Sequence, residues 1–338
     1  MKRPLLQGLE RALREAVARK RAYVCLFYHR VGDGDGLSSP VNRSTKVTTA
    51  AFQRQMQFIK NYCRPLALTE MVARLAQGIP ADGFYVAVSF DDGYADNYTE
   101  AFPIISNLGI PITLFLATAF IDEPAQLPWW DLLERVSRHR RGLLTGKLQG
   151  APVEFDLNRP AGRVGFFRTW SNHLKRHPGD EAKVREWLHP YLPFDQEKPN
   201  DFLRWEQVRR MAASPLVDLA PHTCRHSDLG LAGPGTYEEV RLSRERIREE
   251  TGAVSDLFSY PFGGYGSEDN HSLFQYLEAQ GIKAAFTTSP GTISSNHPRF
   301  LLPRIAISGR DSEAIFLLKL WAPDLVGRLQ QAIRRRLS

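Results

Sequence analysis

The chain is poor in cysteine. Three occur in 338 residues, Cys25, Cys63 and Cys224, with no Cys-x-x-Cys spacing and an odd one left over. That excludes a disulfide framework and suits a reducing compartment. No stretch approaches the ~18–20 apolar residues that a membrane-spanning helix needs. The first 21 residues are basic throughout with no continuous apolar core, so no secretory signal is read there. A cytoplasmic protein is expected, at most peripheral at the inner membrane face. Internal repeats and low-complexity segments are absent too. What is there, 43% hydrophobic and 24% charged residues, is the composition of a globular protein with a large core.

Negative charge is the scarcer sign. Lys and Arg number 44 against 37 Asp and Glu, an excess of seven. The excess clusters in the first 21 residues, in Arg135 to Arg141 and in Arg334-Arg335-Arg336. Such clusters suit an anionic membrane surface or a phosphate-bearing substrate, and solvated helix faces are the plain alternative. Nothing else in the chain supports a nucleic-acid partner.

Periodicity predicts a basic amphipathic helix over residues 3–20, with Leu5, Leu6, Leu9, Leu13 and Val17 on one face. A strand from Tyr23 to Val31 follows, with His29 near its end. A helix capped by Thr48 or Thr49 runs to Tyr62. Strands and helices then alternate with short links, the pattern of a parallel sheet or barrel. Between about 121 and 204 the rhythm breaks into a mainly helical insertion. Its Trp129 and Trp130 are expected to form its own small core, with a sugar-stacking platform as the alternative. Strands resume at Leu216–Ala220, Leu257–Tyr260, Lys283–Thr288 and Arg304–Ile307, and a basic amphipathic helix, Asp311–Arg336, closes the chain. The organisation expected is therefore a helix at 1–21, one barrel at 22–310 interrupted by the insertion, and a helix at 311–338.

Chemistry concentrates at strand ends. Val86-Ala87-Val88-Ser89-Phe90 runs into Asp91-Asp92-Gly93, two adjacent carboxylates that need a stabilising partner. His222 and His226 stand four apart after another strand, the spacing of one side of a helical turn. Carboxyl ends of parallel strands converge on one rim. One carboxylate with two imidazoles makes a three-ligand site of the catalytic-zinc type, with open positions for water. Cys224 between the histidines is read as packing.

In this order, Ser89-Phe90-Asp91-Asp92-Gly93, His222-Thr223-Cys224-Arg225-His226 and Ser259-Tyr260-Pro261-Phe262-Gly263 resemble the motifs of the polysaccharide deacetylase family. This is carbohydrate esterase family four, with the NodB-homology fold. The resemblance covers about 22–120 and 203–308. Tyr28-His29-Arg30-Val31 is similar to the branch that includes poly-N-acetylglucosamine deacetylases. The resemblance implies an α/β fold, a distorted (β/α)7-type barrel. It implies Asp91 as general base, Asp92, His222 and His226 as metal ligands, and the backbone of Phe262 as oxyanion donor. The implied metal is divalent, zinc with cobalt, nickel or iron as alternatives.

Three features of the family pattern differ, one of them being the fourth motif, an Asp with a Trp, which is not evident. The arginine that commonly opens the third motif is Ser259 here, and Arg304 on the last strand is the candidate to pair with Asp91. No histidine falls in Leu301 to Ile307, where the family usually has its general acid. His29 is the candidate replacement, ahead of the loop residue His297. The function expected is a metal-dependent N-deacetylase of an N-acetyl amino sugar in a glycan or lipid-linked glycan precursor. The alternatives are a hydrolase of a small non-peptide amide and a catalytically inactive glycan-binding module.

Overall fold

The computed structural model describes residues 2–33, 45–123, 127–192, 201–265 and 270–328. Its centre is a set of parallel strands in the order Ile305–Ala306, Ala22–Tyr28, Phe84–Asp92, Ile112–Leu116, Val217–Pro221, with Arg64–Pro65 paired beside Phe84–Asp92. Two further parallel strands, Leu257–Ser259 and Ala284–Phe286, complete the ring less regularly. They join it through Ser255 N–H to the Leu219 carbonyl (2.8 Å) on one side and a Phe286–Leu302 bridge on the other. This α/β fold is thus a distorted barrel with no continuous closing ladder.

Every residue of Phe84–Asp92 is buried, as a parallel strand covered on both faces requires. Alternation splits its side chains. Val86, Val88 and Phe90 pack outward under the helices with Leu26 and Leu114, while Tyr85 and Ala87 pack inward with Cys25, Phe115, Ala220 and Phe286. Helix Thr49–Tyr62 is capped by Thr48 Oγ1, which accepts from Ala51 N–H (3.1 Å).

The structure differs from the sequence expectation in four places. The first strand ends at Tyr28, and Arg30–Val31 pairs instead with Lys46–Val47. The stretch between 121 and 204, expected to be mainly helical, holds strands beside its helices. An antiparallel hairpin, Leu143–Leu148 with Ala151–Asp156, packs against helices Trp129–His139, Pro160–Arg176 and Glu181–Leu188. Its turn at Gln149-Gly150 has both residues in the left-handed region, a hairpin signal that the helical reading passed over. His222 and His226 lie on an irregular loop, with Thr223 and His226 left-handed, and not on a helical turn.

The fourth difference is the C-terminal helix, which stops at Trp321. Ala322 (φ −134°, ψ 60°) precedes Pro323, whose ring disfavours helical backbone in the residue before it, and a second helical stretch covers 323–328. Arg334 to Arg336 lie outside the described residues. At the other end, helix Lys2–Ala18 packs Leu13 and Val17 into the core; the side chains of Leu5, Leu6 and Leu9 lie outside those described. No helix among the described residues is long and apolar enough to cross a membrane.

Candidate active site

Asp91 and Asp92 part company because neighbouring strand residues face opposite ways. Asp91 continues the inward row of Ser89, and a buried arginine meets it there. Arg304 Nη1 donates to Asp91 Oδ1 (2.7 Å) and Nη2 to Asp91 Oδ2 (2.8 Å), a bidentate pair. The remaining donors are also used: Nη2 to Ser259 Oγ (2.6 Å), Nη1 to Ser89 Oγ (3.3 Å) and Nε to the Thr287 carbonyl (3.2 Å). The guanidinium is fully buried, 4.4 Å from the Phe27 ring centre and 5.3 Å from that of Phe115. Burial alone would raise the Asp91 carboxyl; Arg304 and then His222 outweigh it and hold the group below its ordinary range.

Asp92 turns the other way at the end of the strand, with φ 76°. Its Oδ1 lies 3.3 Å from His226 Nε2 and 3.5 Å from His222 Nε2. All three residues are buried, and these are the residues among those described that could share a metal. His222 Nδ1 lies 2.7 Å from the Ser259 carbonyl, so its hydrogen belongs there and the Nε2 lone pair points into the cluster. Burial pushes the His222 imidazole down to about 4, leaving it neutral and ligand-competent near pH 7. Burial opposes the charge of Asp92 as well, but His226 and the neighbouring histidines hold its carboxyl below the usual range.

The cluster fits a divalent ion. Asp92 Oδ1 is buried with no hydrogen-bond partner, and so is His226 Nδ1. An orphaned carboxylate oxygen facing two imidazole nitrogens is costly unless a cation completes it. Ligand atoms ~2.0–2.1 Å from a tetrahedral ion stand about 3.3–3.4 Å apart, close to the two spacings observed.

Four of the five non-glycine left-handed residues among those described lie at this rim: Asp92, Thr223, His226 and Phe262. Each such residue costs on the order of 1–3 kcal/mol and persists only where its surroundings dictate it. Phe262 sits in the turn Pro261–Gly263, whose internal bonds use the N–H groups of Gly263 and Gly264. Its ring stands edge-on to His226, centres 4.4 Å apart. His29 reaches the same neighbourhood. An electrostatic interaction with its side chain is a lesser contribution to lowering both Asp91 and Asp92, and its carbonyl accepts from Asn97 Nδ2 (2.9 Å). His297 lies in an exposed loop with Ser294 (3.0 Å), and Cys224 Sγ is occupied by the Glu239 carbonyl (3.5 Å).

The sequence reading expected both tryptophans in the insertion's own core, with a sugar-stacking platform as the alternative. Trp129 does belong to the insertion's core, but Trp130 lies 4.7 Å from His226 and 5.7 Å from Phe262, ring centre to ring centre. Its Nε1 donates to Tyr94 Oη (2.9 Å), and Tyr94 in turn donates to Asp131 Oδ2 (3.0 Å). The Trp130-Asp131 dipeptide therefore ties the insertion to the loop after Asp92. Both tryptophans, with Phe120, Lys175, Arg225 and Phe262, line a cleft of about 420 Å³ beside His226.

With this site in place, the chain's class is plain. It belongs to the polysaccharide deacetylase family, whose profile matches residues 79–142 and 165–285. Among curated proteins it is similar to the poly-β-1,6-N-acetyl-D-glucosamine N-deacetylase of Escherichia coli K12, 23% identical over 336 residues. That match takes in 90% of this chain but 39% of the relative, so the chain spans about two fifths of that protein's length. YxkH of Bacillus subtilis is 29% identical, covering 86% of this chain and 73% of YxkH. Among solved structures, Streptococcus pyogenes deacetylase PplD in complex with acetate matches with TM-score 0.59 and 18% identity, over 88% of this chain and 98% of PplD. IcaB from Ammonifex degensii matches with TM-score 0.54 and 19% identity, over 90% and 99%. At these identities the structures speak for the fold.

Proposed function

We propose that this chain is a metal-dependent N-deacetylase, hydrolysing the acetamide of an N-acetyl amino sugar in a glycan or lipid-linked glycan precursor. The products are acetate and a free amine. The observation that carries the reading is the pairing of two differently committed carboxylates. Asp91 is held ionised by Arg304, and Asp92 converges with His222 and His226 on one point.

Asp92, His222 and His226 would hold the ion, zinc by the mixed O/N donor set, with cobalt, nickel or iron as alternatives. When bound, it supplies Lewis acidity to the acetamide carbonyl and to a water. Asp91 is the base that takes the water's proton. With two lone-pair sites committed to Arg304, its carboxylate keeps others free. Arg304 acts through Asp91 as a positioning residue, arriving where Ser259 leaves room for a guanidinium. The Phe262 N–H is the oxyanion donor. His29 gives the proton to the leaving amine. The aromatic cleft of Trp130 and Phe262 supports a sugar ring over a small amide, because ring faces stack on C–H surfaces. The basic terminal helices are placed against an anionic membrane on the cytoplasmic side, next to a lipid-linked substrate.

The test is acetate release from soluble oligomers of N-acetylglucosamine and from small amides, with the metal-loaded protein. Acetate from the oligomers is expected. Turnover of small amides alone would transfer the site to that chemistry, and oligomer binding with no release would make the chain a glycan-binding module.

A further inference from the structure

The net positive charge of this chain is carried by its two terminal segments, and the fold brings the described helices of those segments together. Residues 1–21 hold seven basic and two acidic side chains, and residues 310–338 six and three. Their combined excess of eight exceeds the seven of the whole chain, so everything between them is close to neutral. Helices Lys2–Ala18 and Glu313–Trp321 pack side by side. Lys20 Nζ donates to the carbonyls of Leu320 and Trp321 (2.9 Å each), and Arg14 pairs with Glu313.

The helix Glu313–Trp321 and the helical stretch 323–328 both bury some apolar side chains and expose others. Phe316, Leu317 and Leu320 are buried, but Ile315, Trp321 and Leu325 are 42%, 44% and 49% exposed. Exposed aliphatic side chains with a tryptophan, on paired terminal segments that also expose Arg11, Arg19, Arg21 and Arg328, have the composition of a helix lying in a bilayer interface. A nucleic acid would use the arginines and leave the apolar side chains in water. A second copy of this chain would set two like-charged faces against each other.

We propose that the paired terminal helices form a membrane-docking face. Ile315, Trp321 and Leu325 enter the headgroup boundary of an anionic phospholipid bilayer, and the surrounding basic side chains neutralise lipid phosphates. This deepens the membrane contact within the proposed function, and its test does not depend on acetate release. The chemistry and the docking can therefore fail separately.

The experiment is co-sedimentation of the full chain with vesicles of phosphatidylcholine alone and of phosphatidylcholine with phosphatidylglycerol. Binding to the anionic vesicles is expected, weakening at ~0.5 M salt, where the Debye length falls to about 4 Å. The double variant Trp321→Ser, Leu325→Ser should bind about tenfold more weakly, and its tryptophan emission should lose a blue shift that the parent shows on binding. Arg11→Glu with Arg19→Glu should remove the preference for anionic lipid. These side chains are exposed, so circular dichroism and acetate release from a soluble substrate should be unchanged. The proposal is overturned if the parent ignores anionic vesicles, if the serine variant binds as well as the parent, if the parent is a dimer that this variant dissociates, or if duplex DNA competes the vesicles away.

Discussion

At the scale of single residues, the account turns on how one arginine and one serine divide the work of a motif. Arg304 spends all its donors inside the barrel, two of them on Asp91, while Ser259 accepts from Arg304 through its hydroxyl and from His222 through its carbonyl. Removing the guanidinium leaves a buried carboxylate unpaired. Arg304→Ala is expected to cost ~3–5 kcal/mol in a urea melt, and kcat should fall at least about 100-fold as Asp91 loses its orientation. The sign of the pH effect follows. Asp91 lies below its ordinary range because of Arg304, so without it the carboxyl rises and the acid limb of the rate profile moves to higher pH. An unchanged profile and rate would remove Arg304 from the mechanism. The strand-end aspartates and the spaced histidines were legible in the sequence because each lies within a few residues of its motif. Arg304 was legible as a candidate only: its partner is 213 residues away, and no local pattern distinguishes it from a surface arginine.

At the scale of elements, the insertion is the part that the sequence described least well. The mainly helical reading of it did not include the hairpin, whose strands are short and largely exposed on one face. Nor could periodicity show that helix Trp129–His139 presents Trp130 and Asp131 to the barrel. Asp131 is buried, and burial raises its carboxyl to about 7 even though Arg30 and the Tyr94 hydroxyl pull the other way. A carboxyl raised on folding stabilises the fold least where it must ionise, so its contribution is lost as pH climbs from about 4 to about 7. Asp131→Asn keeps the shape and removes that titration. Relative to the parent, the variant should gain roughly 2–3 kcal/mol between pH 5 and pH 8 in paired denaturant melts. Parallel curves at the two pH values would contradict the buried, docked position of Asp131. His222 works in the opposite sense, losing stability as pH falls from about 6.5 to about 4, which is why the comparison is made against the parent and not in absolute terms.

At the scale of the whole molecule, alternating strands and helices were legible because a parallel barrel buries both faces of its strands and leaves continuous apolar runs in the sequence. The irregular joints at Ser255–Leu219 and Phe286–Leu302 were not, since links of one or two bonds leave no periodic trace. The ring matters to function because it turns the carboxyl ends of separate strands toward one rim, where Asp91, Asp92, His222 and Phe262 meet. The claim that joins these scales is that ion binding and proton transfer are divided between two adjacent aspartates. It is tested by titrating metal-free protein with zinc while following acetate release from an N-acetylglucosamine oligomer, for the parent and for Asp91→Asn. The parent should gain activity in proportion to bound ion up to one per chain. Asp91→Asn should take up the same ion yet release acetate at least about 1000-fold more slowly. Equal rates in the two proteins at equal metal content, or no acetate from the fully loaded parent, would contradict it.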